Sequence, residues 1–146
     1  MPDAVEVAIE SALLNRLNAL VLSPVLPVSL PNVTFVPPTA GPNVGWLRGT
    51  FLPAKSFPLG VDYEGNNQHY GIFQVDVFYG QGSGDLAPGR IAASVIQWFK
   101  RGTVLTKDGF VARIKDIPSR GQTIKDDPWV MIPVSIPYLA YALNPA

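Results

Sequence analysis

"FYGQGSGDLAPGR", residues 78–90, sets four glycines, a proline and one aspartate between two apolar segments. A glycine-rich loop between a strand and a helix is where many proteins hold phosphate, so its reading separates a nucleotide-binding fold from a plain connection. A P-loop needs a lysine and a hydroxyl residue directly after its last glycine, to neutralise phosphate and hold magnesium. Here no lysine follows until Lys100. A dinucleotide loop needs Gly-x-Gly-x-x-Gly. Gly80 and Gly82 begin that pattern, but Asp85 stands at the third glycine and would repel a pyrophosphate. The structural reading accounts for every residue: Asp85 caps a helix through the N–H of Ala87, Pro88 falls in its first turn, and the glycines make the bend. The loop is a connection.

Outward from it, the chain reads as a single domain over residues 1–146. Its 146 residues are 47% apolar and 15% charged, enough to bury one sizeable core. Eleven basic residues balance eleven acidic ones, which disfavours a dedicated nucleic-acid or membrane-surface binder. The sequence has no cysteine, so disulfides, thiolate zinc sites and cysteine nucleophiles are excluded. The first residues lack a basic region and an unbroken apolar run, so no signal peptide is expected. The apolar stretch that follows carries Pro24, Pro27, Pro31 and Pro37, which a lipid-spanning helix would not tolerate. A soluble protein is expected.

Asp3 and Glu6 form a capping box, and Ile9, Leu13, Leu17, Leu20 and Val21 recur at helical spacing. They predict a helix over residues 4–22, stopped by Pro24. Residues 25–42 are too rich in proline for regular structure and read as a connector with a short strand at 33–36. Residues 44–53 and 70–80 are β-rich. The polar linker between them reads as a long mobile arm. After the opening loop, Ile91, Val95, Trp98 and Phe99 share one face of a second helix, with Lys100 and Arg101 in its last turn. Residues 110–117 alternate, Phe110, Ala112, Ile114 and Asp116 against Val111, Arg113 and Lys115. A final strand covers residues 130–142. The order α-β-β-α-β-β predicts an α+β fold: a mostly antiparallel four-stranded sheet with two helices packed on one face.

Catalytic chemistry is not written in this chain. His69 is the sole histidine, so no pair of histidine ligands is available within one chain, and its polar surroundings read as solvent. No serine lies in Gly-x-Ser-x-Gly. The segment around Asp62 and Glu64 has its glycine misplaced for a calcium loop, and Phe73 stands where the bidentate glutamate belongs. Asp126 and Asp127 are chain neighbours and read as an ordinary turn. Neither metal nor cofactor is expected. Asp76 stands out, because it lies mid-strand with Gln74 on the face opposite Phe73, Val75, Val77 and Tyr79. That face is expected to be polar and to meet water or another subunit.

"LPNVTFVPP" (30–38), "WLRGTFLPA" (46–54), "GIFQVDVFYGQGSG" (71–84), "FKRGT" (99–103) and "WVMIPVSIPYLAY" (129–141) together resemble the phage tail terminator-like proteins of long, non-contractile tails. Their order and spacing carry the likeness over nearly the whole chain. The resemblance implies a structural virion protein that assembles as a ring, commonly a hexamer, on the finished tail tube. Such a ring stops polymerisation of the tube protein and forms the surface that joins the head. Its partners would be further copies of itself, the tail tube protein and a head-completion or connector protein. DNA would pass through the lumen only as cargo, which suits a near-neutral chain. The implied location is the virion tail, and the host cytoplasm during assembly. Arg48, Asp62, Glu64, Gln74, Asp76, Asp126 and Asp127 are the candidate contacts to other subunits or to the tube. Two other readings stay open: another neck or tail-completion protein of the same fold, and a small α+β ligand-binding domain or enzyme, which would need a pocket built on Asp76, Gln74 and Arg48.

A last expectation concerns Pro133 and Pro137. Residues two apart on a strand direct their N–H groups to the same edge. Both missing donors therefore face one side, and an edge strand, or a bulged one, with its proline side outward is expected.

Overall fold

Two strands of 15 residues organise the chain: one alternates in and out of the core along most of its length, and the other alternates until its last six residues, which are all buried. A computed structural model describes residues 4–22, 25–61 and 65–143. In chain order the elements are α1 (Val5–Asn18), β1 (Val28–Ser29), β2 (Gly45–Pro53), β3 (Phe57–Pro58), β4 (Asn66–Gly80), α2 (Leu86–Trp98), β5 (Val104–Lys107), β6 (Phe110–Ile114), β7 (Ser119–Arg120), β8 (Ile124–Asp126) and β9 (Trp129–Leu143). They form a nine-stranded sheet with the order β1-β2-β4-β9-β6-β5, in which β3 lies beside β4, and β7 and β8 lie beside β9. The β1–β2 pair is parallel and the others are antiparallel. The mostly antiparallel four-stranded sheet expected from sequence is thus overturned: among the described residues the sheet is mixed and has nine strands. The class remains α+β.

The missed strands are short. β1, β3 and β7 have two residues each, too few for any period to show. β5 had a readable signal. Asp108 and Gly109 both take positive φ, 50° and 82°, and join β5 to β6 in a two-residue turn, the kind that Asp-Gly between apolar runs favours. The expected strand at residues 33–36 does not form; β1 instead lies further upstream, at Val28–Ser29.

Both helices cover one face. The odd-numbered residues Phe73, Val75 and Val77 of β4 meet Ile132, Val134, Ile136 and Tyr138 of β9 in a common core with Ile9, Leu13 and Leu17 of α1 and Ala92, Val95 and Phe99 of α2. α1 ends at Asn18, four residues short of its expected limit, which leaves Val21 exposed. Asp3 and Pro24 lie outside the described residues, and the residue at the start of α1 is Ala4, whose side chain makes no cap bond. Asp85 does begin α2, but its side chain makes no bond to the helix; its carbonyl accepts from the N–H of Gly89 at 3.0 Å. Gly82 and Gly84 turn the preceding loop at φ +84° and +81°, which side chains rarely adopt.

Lys100 and Arg101 lie past the end of α2 instead of in its last turn. Their expected role falls to Arg16. Its Nη2 donates to the carbonyl of Trp98 at 2.7 Å, and the Trp98 indole N–H donates back to the Arg16 carbonyl at 2.7 Å. The guanidinium lies 3.8 Å from the centre of the indole ring. Each helix end is closed by a side chain from the other.

The prolines of β9 require a second correction. β9 is not an edge. It pairs with β4 over all 15 residues on one side and with β8, β7 and β6 in turn on the other. The carbonyls of Pro133 and Pro137 accept from Gly121 and Lys115, at 2.7 and 3.1 Å, so these residues face the short strands. A residue in an antiparallel ladder turns its N–H and C=O to the same neighbour, so both missing donors face that side too. The pairing breaks at each one. β8 pairs with residues 129–131, β7 with 134–135 and β6 with 138–140. Gly121 serves this close approach, since a Cβ there would come 2.8 Å from the Pro133 ring.

Candidate assembly face

The face of the sheet away from the helices is built from even positions of β2 and β4 and odd positions of β9, set by the register Arg48↔Asp76 and Asp76↔Pro133. At one end Trp46 stacks on Phe78 with centroids 3.9 Å apart and meets Trp129 edge-on at 6.2 Å. Phe35, Ala40 and Val44 of the connector pack over this cluster. The proline-rich connector is therefore the lid of a second, smaller core.

Beside that core lies the polar group that the sequence singled out. Arg48 and Asp76 are directly opposite on neighbouring strands. Arg48 donates to Asp76 Oδ2 from Nη2 at 2.8 Å and from Nε at 3.1 Å. Gln74 Nε2 donates to Oδ1 at 2.7 Å. Asp76 is only 1% exposed, whereas the Arg48 side chain is 45% exposed and lies over the Phe78 ring at 5.0 Å. A buried carboxylate with three charge-satisfying donors is chemically quiet. The group fastens β2 to β4, and the outer half of Arg48 is the part that meets solvent.

The face is more apolar than the sequence suggested. Beyond Gln74, Leu52 and Tyr141 are about half exposed and Ile72, Pro137 and Leu139 are partly so. The remaining candidates do not gather around Arg48. Asp126 ends β8, and Asp127 with its cis-linked Pro128 makes the exposed turn into β9. Asp62 and Glu64 lie outside the described residues.

The linker read as a long arm is mostly structured where it is described. Phe57 and Pro58 pair with Gln68 and Asn67, and the Leu59 N–H reaches the Asn66 carbonyl at 2.8 Å. His69 is not a solvated loop residue: it is buried in β4, with Nδ1 2.7 Å from the Ser56 hydroxyl. Sequence reasoning also passed over Phe57, Leu59 and Val61, exposed apolar residues whose alternation is a strand signal, and the apolar groove between Leu22, Leu26 and α2. Among the described residues no cluster of histidine, aspartate or glutamate could hold a metal, and no helix is long and apolar enough to cross a membrane.

The family model described as "Phage tail terminator protein" matches residues 8–138, from the first turns of α1 to the last third of β9. One solved protein structure is similar at 28% identity, with a TM-score of 0.72, over 99% of this chain and 100% of its own. No curated protein sequence matches.

Proposed function

Because the chain belongs to the phage tail terminator family, whose role is structural and non-enzymatic, we propose that it closes as a ring, a hexamer, on the finished end of a tail tube. Membership carries a phage-tail structural role and association with other tail and head proteins. The finer reading is that the ring stops addition of tube protein, presents the surface to which the head joins, and passes DNA through its lumen without reading it. Function then lies in binding. It takes place in the virion tail, after assembly in the host cytoplasm.

The single observation that carries the reading is the family match across both helices and both long strands. The outer sheet face agrees with it, because a half-exposed apolar surface around a fixed cation suits a protein partner. Electron microscopy of the purified protein, alone and with tail tubes, is the test. Rings at tube ends are expected. Light scattering and cross-linking that show only monomer, even with tubes present, would overturn the ring.

A further inference from the structure

The chain is neutral as a whole, but its charge is unevenly spread. Residues 100–116 hold Lys100, Arg101, Lys107, Arg113 and Lys115 against only Asp108 and Asp116. Arg101, Arg113 and Lys115 come together around a hollow of about 420 Å³ that Gly102 and Leu139 also line. All three cations are exposed, and none makes an ion pair among the described residues. Lys115 lies 5.0 Å from the Tyr70 ring. The Asp116 carboxylate accepts from the Ile117 N–H at 2.7 Å. Beside the hollow, Val111, Leu139 and Tyr141 extend the outer sheet face as apolar surface. Ala112 and Ile114 of β6 face the other way, into the core that α1 covers.

On that opposite side α1 shows an acidic strip to solvent. Glu6 and Val7 are exposed, and Glu10 is partly so. Glu10 borders a hollow of about 280 Å³ with Val7, Ser11, Leu14 and Leu30. The one cation of α1, Arg16, is engaged with Trp98. Neither glutamate makes an ion pair among the described residues. The strip is apolar with two unmatched anions, and the sheet face is apolar with three unmatched cations.

The spacings agree as well. Residues four apart on a helix place their Cβ atoms about 5–6 Å apart, and residues two apart on a strand lie about 6.6 Å apart. Glu6 and Glu10 therefore match Arg113 and Lys115 pair for pair. One chain cannot make this contact with itself, because the sheet and its core stand between the two surfaces. We propose that α1 of one copy docks on the outer sheet face of the next. Glu6 and Glu10 then meet Arg113 and Lys115, and Val7 meets Leu139 and Tyr141. The Asp126–Asp127 turn is a poorer match for the cations, since Lys125 precedes it. Complementary charge fixes the register and rejects wrong partners, while the apolar contact is removed from water. Each copy gives its helix to one neighbour and its sheet to the other, and such a head-to-tail contact generates a ring when the rotation closes. The inference rests on the ring reading above and gives that ring its subunit contact.

Charge reversal tests it. In the presence of tail tubes, E6K/E10K and R113E/K115E should each keep the wild-type circular dichroism and lose the ring. Mixed in equal amounts they should form rings again, because every contact in an alternating ring joins opposite charges. A chain carrying all four changes should form rings by itself. The gentler variants E6Q/E10Q and R113Q/K115Q should each raise the protein concentration that rings require, with no rescue on mixing. Rings that form as readily in the reversed or neutral variants as in wild type would overturn the contact and leave the ring reading standing. So would loss of the ring that neither mixing nor the fourfold change restores. Rings of R113E/K115E that no longer bind tubes would overturn it in favour of the tube protein as occupant. Wild-type protein that forms no ring would overturn the contact and the ring together.

Discussion

Removing Arg48 is the sharpest probe of the outer face, because its partner cannot escape. In an Arg48→Met variant the Asp76 carboxylate, 1% exposed, keeps one donor, Gln74 at 2.7 Å, and loses two charged ones at 2.8 and 3.1 Å. Breaking a fully buried pair from one side costs about 3–5 kcal/mol, and an exposed pair is worth only about 0–1. The Arg48 side chain is 45% exposed, so water can partly replace it and the cost should fall to about 2–3 kcal/mol. The reverse change, Asp76→Asn, leaves a half-exposed cation that can turn to solvent, and should cost about 1 kcal/mol. Replacing both together, R48M/D76L, removes the buried charge and should recover most of the loss. Urea unfolding measures all three. With a slope of about 1–3 kcal/mol per molar, R48M should lower the midpoint by about 1 M or more. A cost for R48M below about 0.5 kcal/mol, or a double variant less stable than R48M, would refute the account.

Two further outcomes follow from the sheet and its core. Met131, Ser135 and Leu139 share the proline side of β9 and pair with Ile124, Ser119 and Arg113, so their amides should be protected from hydrogen exchange, though less than Ile132 and Val134, which face β4. Exchange at the rate of an unstructured peptide at those three amides would restore an open edge. Burial of Tyr138, together with the charges of Glu6 and Glu10, raises its hydroxyl well above the ordinary value near 10. Its folded form therefore holds the proton that the unfolded chain releases. The stability it contributes is complete below about pH 10 and declines above it, by at most about 1.4 kcal/mol per pH unit. Urea midpoints from pH 9 to 11 should fall less steeply for Tyr138→Phe than for wild type; equal slopes would show that this hydroxyl is not the cause.

Much of the fold could be read locally, and β9 shows where local reading stops. The alternation of Ile132, Val134, Ile136 and Tyr138 assigns one face of the strand to the core, and they are buried there. The same parity argument puts both proline nitrogens on one edge, and the carbonyls of Pro133 and Pro137 show that it does. What lies beyond that edge is a different question, decided by residues 112–126 arriving from elsewhere in the chain. Those segments are two, three and five residues long, and only β6 carries a readable alternation. An open edge and an edge covered by interrupted strands satisfy the same missing donors. Satisfaction of the remaining N–H and C=O groups favours the second, because Met131, Ser135 and Leu139 each keep a donor that needs a partner. His69 and Asp76 follow the same logic. His69 looked available because polar residues surround it in sequence, and Asp76 because it shares a strand face with Gln74; each is buried because the polar atoms it needs, from Ser56 in one case and Arg48 in the other, arrive across a strand pair. A polar residue in a strand therefore marks a surface only after its cross-strand partner is known. At Asp76 that partner leaves Arg48, not the carboxylate, as the group able to greet another subunit.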